Sequence, residues 1–214
     1  SEGVEIRLRT PVTRINQGEA GRLTVTTSKG SEDYDAVIST SSPTLMARLM
    51  PDLPASYAGS LTALKSMGAV VLIISIRQRL TEYYWPNLPK DAGFPFLAMV
   101  EHTNFIGPEH YGGDHILYCG DYLEPDHEYF RLSKEELLEQ FLPSLQRFNP
   151  DFDRTWVKDV WVWKTAYAQP VPPVNHSQNI PAIRTPVPGL YFASMSQVYP
   201  WDRGTNYAVE IGQK

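Results

Sequence analysis

Short runs of alternating apolar and polar residues dominate the front of the chain. Residues 4–8, Val-Glu-Ile-Arg-Leu, alternate with period two, which predicts a strand with one buried face. Runs over 10–15 and 23–27 follow, separated by a glycine-containing turn at 17–21, and a further strand is predicted over 34–40. The front of the chain is therefore predicted to consist of short strands.

Two helices are marked by the residues that begin them. Ser42-Pro43 combines a serine cap with proline at the first helical position, which predicts a helix to about Leu49. Ser133 is followed three residues later by Glu136, which is the spacing of a capping box. The apolar residues behind that cap keep helical spacing: Leu137, Leu138, Phe141 and Leu142. A short helix is also expected within 51–66, and another from residue 202 onward.

The rest of the chain alternates strands with longer connections. Residues 69–76 are almost all apolar, which predicts a strand buried on both faces. Further strands are predicted over 94–101, 115–122, 155–163 and 190–194, and the proline-rich residues 170–188 predict an extended loop. This succession predicts an α+β fold with a mixed or antiparallel sheet, in which both termini form one part and enclose an α+β unit.

Composition narrows the class of protein. The 214 residues are 42% hydrophobic and 20% charged, which is typical of one large globular domain or two small ones. The net charge is −5 and no stretch is basic, so there is no electrostatic basis for binding nucleic acid. The longest apolar stretch, 67–76, is too short to span a bilayer. The single cysteine, Cys119, is interpreted as a packing thiol, and we expect a reducing, cytoplasmic location.

Residues that could bind metal or act as nucleophiles show no informative spacing. The five histidines are scattered, without the H-x-x-x-H or H-E-x-x-H pattern of zinc ligands. Acidic residues cluster near His127, and we interpret them as a solvated loop rather than a metal site: Asp121, Glu124, Asp126 and Glu128. No nucleophile motif such as G-x-S-x-G occurs, so the sequence identifies no catalytic residue.

The strongest local signal lies near the end of the chain. Residues 189–194 predict a short buried strand, and 199–206 predict a turn that opens a helix. The N-terminus of a helix offers unpaired N–H groups and positive potential to an anion or a carbonyl oxygen. Gly204 at that point would let a flat ligand approach the backbone. An ordinary strand–turn–helix connection explains the same residues equally well.

These segments resemble a known family, the flavoprotein superfamily of amine oxidases, protoporphyrinogen oxidases and phytoene desaturases. The resemblance is carried by 10–15, the hairpin to Gly30, 35–40, 189–194 and 204–208. It implies an FAD-dependent oxidoreductase that transfers hydride from its substrate to the flavin, with no general base named. It also implies that the backbone of Val12 pairs with the adenine of FAD and that the strand ending at Thr40 lies beside the cofactor. The remaining residues assigned to the cofactor side are Arg203, Gly204, Thr205 and Asn206.

The resemblance also marks the substrate side. Residues 161–170 resemble the stretch that approaches the flavin in protoporphyrinogen oxidases, which makes Trp163, Tyr167 and Gln169 candidate substrate-binding residues. Core packing of a tryptophan-rich strand remains an equal alternative. The family's lysine near the flavin is missing from 67–76, and its paired aromatic cage is also missing. An apolar or aromatic substrate is therefore favoured over an amine.

Other departures from the family define what the chain contains. The family's aspartate after the final strand is replaced by Ser194-Met195, and no G-x-G-x-x-G motif occurs to cradle a pyrophosphate. The resemblance therefore implies a C-terminal fragment, which alone binds FAD weakly or not at all. We expect 1–44 to be a remnant of the FAD-binding domain, 45–186 a substrate-binding domain, and 187–214 the last strand and helix of the FAD-binding domain. Self-association through the exposed remnant is expected.

Two alternatives belong to other classes. One is a non-catalytic α+β module that binds a small molecule in an aromatic groove. The other is a relative of the flavin-dependent sugar mutases, which would need basic residues for a diphosphate, and no convincing basic cluster occurs in the sequence.

Overall fold

The computed structural model describes residues 3–201 and 204–214. They form two compact units, which we call the terminal unit, from the described parts of 1–65 and 170–214, and the central unit, 66–169. The terminal unit thus includes 45–65 and 170–186, which the sequence-based boundaries placed with the central part. The reason lies in packing, because Met46, Met50 and Leu61 bury their side chains in one core with Leu190 and Phe192.

Antiparallel and parallel strands both occur in the terminal unit. The strands are β1 Val12–Gln17, β2 Leu23–Thr27, β3 Gly30–Tyr34, β4 Val37–Ser39 and β9 Leu190–Phe192. β1, β2 and β3 form an antiparallel sheet in which Ile15 lies opposite Val25. β4 and β9 form a two-stranded parallel sheet, with Val37 opposite Leu190. The helices are α1 Pro43–Leu49, α2 Ala55–Thr62 and α4 Thr205–Gly212.

The front of the chain departs from the sequence prediction. Residues 4–8 form no strand, and the side chains of Val4, Ile6 and Leu8 are all at least 70% exposed. Alternation predicted the strand wrongly because a strand also needs a partner, and none of the described strands pairs with these residues. The residues predicted as one strand over 34–40 are divided between two strands. Tyr34 ends β3 and 37–39 form β4, and these two strands belong to different sheets.

The central unit is built on one four-stranded sheet. Its strands are β5 Lys65–Ile76, β6 Ala98–Glu101, β7 His115–Leu123 and β8 Val157–Val171, in the order β6-β7-β5-β8. β7 pairs antiparallel with both β5 and β6. Helix α3, Lys134–Leu145, begins at the predicted cap Ser133 with the capping box to Glu136 formed. The mixed sheets and four described helices confirm the predicted α+β class.

One face of this sheet carries the core. Leu72 and Ile74 of β5, Cys119 of β7, and Leu137 and Phe141 of α3 are all buried in it. The prediction that β5 is buried on both faces is wrong, because Ala69, Val71 and Ile73 on its other face are only partly buried. None of the helices in the described ranges combines the length and apolar character that a bilayer crossing needs.

Candidate functional site

The carboxyl ends of the parallel strands lie together in the terminal unit. β4 ends at Ser39 and β9 at Phe192, directly opposite each other. Ligands of parallel sheets bind outside the carboxyl ends of the strands. The predicted residue Thr40 follows β4, is exposed, and lines a cavity of about 320 Å³ together with Ala193 and with Ala208 and Ile211 of α4. The predicted residues Gly204, Thr205 and Asn206, at the start of α4, do not line it. We call this the strand-end cavity.

Helix α4 follows β9 in the chain, and its N-terminus is open among the described residues. Gly204 is its N-cap, and no side chain among the described residues caps the first turn that Thr205 and Asn206 begin. The first N–H groups of α4 thus keep their capacity for an anion or a carbonyl oxygen. Gly204 has φ −175, an extended conformation that any residue adopts, so glycine there provides space rather than backbone freedom. The predicted residue Arg203 lies outside the described residues.

Val12 lies apart from Thr40 and α4. It opens β1 beside a register shift between Val12 and Arg14, a bulge that interrupts the pairing with β2. Val12 lines a separate cavity of about 330 Å³ with Arg7, Tyr34 and Val37 among its neighbours. The structure therefore does not bring all the predicted cofactor residues into one cavity, although an extended ligand can span separate subsites.

Ser194 stands where the resemblance implies an aspartate, and its hydrogen bonds stabilise its own turn. Its hydroxyl accepts from the N–H of Ser196 at 3.3 Å, and its N–H donates to Gln197 Oε1 at 2.7 Å. Gln197 Nε2 donates in turn to the carbonyl oxygens of Pro181 and Phe192. These contacts form a second capping box in the chain. Ser194 therefore stabilises its own turn, and it also lines the strand-end cavity.

A cavity of about 420 Å³ lies on the sheet of the central unit, and we call it the sheet cavity. Its floor is the face of the sheet opposite the core. The lining residues are Ala69, Val71, Trp85, Asn87, Leu88, Leu97, Ala98, Val100, Tyr118, Gly120, Asp121 and Tyr122. A cavity of this volume can hold a small organic ligand, and its apolar and aromatic side chains can bind the apolar parts of that ligand.

Charge is nearly absent from this lining. Asp121 is the one ionisable acid or base other than tyrosine among the described lining residues. Side chains alternate along β7, so Asp121 shares the face of the buried Cys119, away from the cavity. Burial raises the pKa of the Asp121 carboxyl, and a hydrogen bond from the backbone N–H of Tyr122 acts in the opposite direction by a smaller amount. The cavity thus offers a ligand two tyrosines, a tryptophan and an amide, with no facing charge.

The predicted substrate residues lie on the same strand, β8, and the structure does not place them in the sheet cavity. Val160 and Val162 pack on the core, so alternation puts Trp163 on the cavity side of the sheet. Trp163 is 67% exposed and does not line the cavity. Tyr167 and Gln169, further along β8, are partly buried and do not line it either.

Sequence reasoning missed Trp85, Tyr118 and Tyr122. The available signal was the pattern 118–122, which puts two tyrosines and a glycine on one face of a strand. A Cβ at Gly120 would meet Val71 Cγ2 at 3.1 Å, so the glycine leaves the floor of the cavity open between the rings. Trp85 lies in a loop and carries no such pattern.

Metal ligation finds no support in the geometry. The described residues contain no group of three or more His, Cys, Asp or Glu side chains that could hold a metal ion. His127 instead stacks edge-on against Tyr129, and its Nδ1 accepts from the Tyr129 N–H at 3.2 Å.

Comparison with known proteins places the chain in a family. The family model described as flavin containing amine oxidoreductase matches residues 1–212. No curated protein matches the chain.

Three solved structures share its fold. A provisionally assigned protoporphyrinogen oxidase from Exiguobacterium sp. 255-15 has a TM-score of 0.74 at 20% identity, over 90% of this chain and 43% of its own. A putrescine oxidase, solved with putrescine bound, has a TM-score of 0.68 at 18% identity, over 99% and 48%. A reduced UDP-galactopyranose mutase has a TM-score of 0.63 at 18% identity, over 84% and 39%. The chain thus spans less than half the length of each of these structures.

Proposed function

This chain belongs to the family of flavin containing amine oxidoreductases, and from that premise we propose that it is part of an FAD-dependent oxidoreductase acting on an apolar or aromatic substrate. The observation that carries the proposal is the sheet cavity of the central unit. Its lining is mostly apolar and aromatic, and the one acid among the described lining residues, Asp121, is placed on the other face of the sheet by strand alternation. Such a cavity selects a flat, uncharged molecule by burial of its surface and by ring contacts.

The lining argues against two other substrate classes. A cationic amine would gain from a facing carboxylate, and Asp121 points away from the cavity. A sugar diphosphate would need basic side chains, and no lysine or arginine is among the described lining residues. An uncharged substrate therefore fits best, in agreement with the missing lysine in 67–76.

The terminal unit supplies the features that suit a cofactor. Thr40 at the end of β4 and the open first turn of α4 at Gly204, Thr205 and Asn206 can approach the polar parts of FAD, and the backbone of Val12 can approach its adenine. The fit is partial, because no G-x-G-x-x-G motif occurs in the sequence to cradle the pyrophosphate. When bound, FAD would supply the hydride acceptor, and this chain's residues would position it and exclude water.

Self-association of the isolated chain is a further proposal. The terminal unit exposes large apolar side chains, among them Ile38 at 67% and Val209 at 57%. Exposed apolar surface of this kind favours association. Sedimentation velocity of the 214-residue chain should show dimers or larger species, and a single monomeric species at all concentrations would contradict the proposal.

The test of the proposed function is a visible absorbance spectrum of the encoded protein, purified with its natural flanking residues. We expect flavin bands that travel with the protein and bleach when an apolar or aromatic reductant is added without oxygen. A colourless protein that stays colourless after incubation with FAD would favour the non-catalytic binding module instead.

A further inference from the structure

A buried carboxylate lies at the end of β6, behind one wall of the sheet cavity. Glu101 is 0% exposed. The N–H of Leu80 donates to its Oε1 at 3.0 Å, and the N–H of Thr81 donates to its Oε2 at 2.7 Å. Burial raises the pKa of the Glu101 carboxyl, and the two backbone N–H groups act in the opposite direction. A buried carboxylate is expensive unless such donors satisfy it, and both oxygens hold one short segment, while His115 Nδ1 lies 3.7 Å from Oε1 as a further neighbour.

We call that segment, residues 79–88, the wall segment. A second anchor holds it at Asn104, whose Nδ2 donates to the carbonyl oxygens of Thr81 and Tyr83 at 2.9 Å each. Arg79 Nε donates to Asn104 Oδ1 at 2.7 Å. The N–H of Glu101 donates to the carbonyl oxygen of Tyr84 at 3.0 Å. The segment is therefore fixed by polar contacts up to the residue before Trp85.

The wall segment has little apolar burial of its own. Leu80, 2% exposed, is its one fully buried side chain, whereas Tyr83 is 62% exposed and Trp85 58% exposed. Yet Trp85, Asn87 and Leu88 form one side of the sheet cavity. Leu80 lies in the core and Leu88 packs against it, so hydrogen bonds hold mainly the part of the loop between them, which is expected to move when those bonds are lost.

We infer that Glu101 is a positioning residue, which sets the width of the sheet cavity for a flat, uncharged aromatic ligand by fixing the wall segment that carries Trp85. This inference rests on the proposed function for its substrate site. Glu101 does not line the cavity and acts through the backbone of Leu80 and Thr81.

The test measures the binding of 2-naphthol, an uncharged flat aromatic molecule, by equilibrium dialysis. It uses the encoded protein with its natural flanking residues. Glu101→Gln keeps the shape of the side chain but turns one acceptor into an NH2 group facing a backbone N–H. We expect binding to weaken about tenfold or more. We also expect hydrogen exchange over 79–88 to accelerate, with little change in the exchange of β5.

Asp114→Asn is the matched control. Asp114 accepts from Ser75 Oγ at 2.9 Å and pairs with Lys158, so its loss disturbs the same sheet without touching the wall segment. We expect this variant to bind 2-naphthol like the unaltered protein, even if its thermal stability falls as far. Equal weakening in both variants would reduce Glu101 to a merely structural role and overturn the inference.

Asn104→Ala is the second variant, for use if Glu101→Gln does not fold. Asn104 is only partly buried, so we expect its replacement to be better tolerated. It should weaken 2-naphthol binding and accelerate exchange over 79–88. Unchanged binding in a folded variant with accelerated exchange, or no binding to the unaltered protein, would overturn the inference. Flavin is not measured in this experiment, so its failure is distinct from failure of the FAD proposal.

Discussion

The two units of this chain differ in how completely each buries its own sheet. The central unit covers one face of a four-stranded sheet with α3, and Leu72, Ile74 and Phe141 are at most 1% exposed. The terminal unit contains a parallel sheet of two three-residue strands, on which Ile38 is 67% exposed. Parallel strands are ordinarily covered on both faces. The two units thus differ in how their sheets are covered. Helix α3 packs on one face of the central sheet, whose other face exposes Trp163 at 67%, and the two-stranded sheet of the terminal unit leaves Ile38 exposed.

The largest expected change in stability comes from a substitution at the centre of the core that α3 covers. Phe141→Ala removes a ring that meets Phe96 edge-on at 5.1 Å, and we expect a loss of about 3–5 kcal/mol of unfolding free energy. Phe105→Ala is the control, because Phe105 is 72% exposed; its effect should stay within about 0.5 kcal/mol. Denaturant unfolding measures both. Similar losses in the two variants would show that the central unit lacks a specific core.

A smaller effect compares the helix caps of the two units. The Ser133 hydroxyl accepts from the N–H of Glu136 at 3.2 Å within a capping box, whereas the Ser42 hydroxyl accepts from the N–H of Leu45 at 3.4 Å without one. We expect Ser133→Ala to lower the unfolding free energy by about 1 kcal/mol, and Ser42→Ala by less. A larger loss of unfolding free energy from Ser42→Ala than from Ser133→Ala would contradict this expectation.

The smallest effect is a pH dependence at the same cap of α3. Hydrogen bonds from the backbone N–H and then the hydroxyl of Ser133 lower the pKa of the Glu136 carboxyl. A lowered folded-state pKa gives stability that is present above the unfolded value, roughly 4.3, and is lost as pH falls through the folded value. Glu136→Gln should therefore flatten the decline of stability between neutral and acidic pH. An unchanged acid limb of the thermal-melt profile would contradict this.

The sequence predicted best those features of the fold that depend on residues close together in the chain. Ser42-Pro43 and the Ser133–Glu136 pair act over one helical turn, so residue identity alone located the starts of α1 and α3. Residues 4–8 failed because alternation says nothing about whether a partner strand exists. β5 was predicted as a strand correctly, but its second face meets a cavity, which the apolar pattern of 69–76 cannot distinguish from packed protein.

The candidate site was less accessible to sequence reasoning. Thr40, Gly204, Thr205 and Asn206 could be proposed from the family resemblance, because it is carried by segments that end a strand or open a helix. Trp85 could not, because it lies in a loop that hydrogen bonds to Glu101 hold in place. The spacing of Tyr118 and Tyr122 put them on one face of a strand, but it did not show that this face lines a cavity. Such contacts depend on tertiary structure.

We propose a division of labour, in which the terminal unit contacts FAD and the central unit holds the substrate. The most direct measurement is the flavin content of two variants of the encoded protein with its natural flanking residues. Gly204→Leu adds bulk at the start of α4, where a Cβ would meet Asn206 Oδ1 at 2.7 Å, so the amide has to turn aside, and Val100→Trp fills the sheet cavity. We predict that Gly204→Leu loses flavin while Val100→Trp keeps it and loses 2-naphthol binding. Full flavin in Gly204→Leu together with its loss in Val100→Trp would contradict the account.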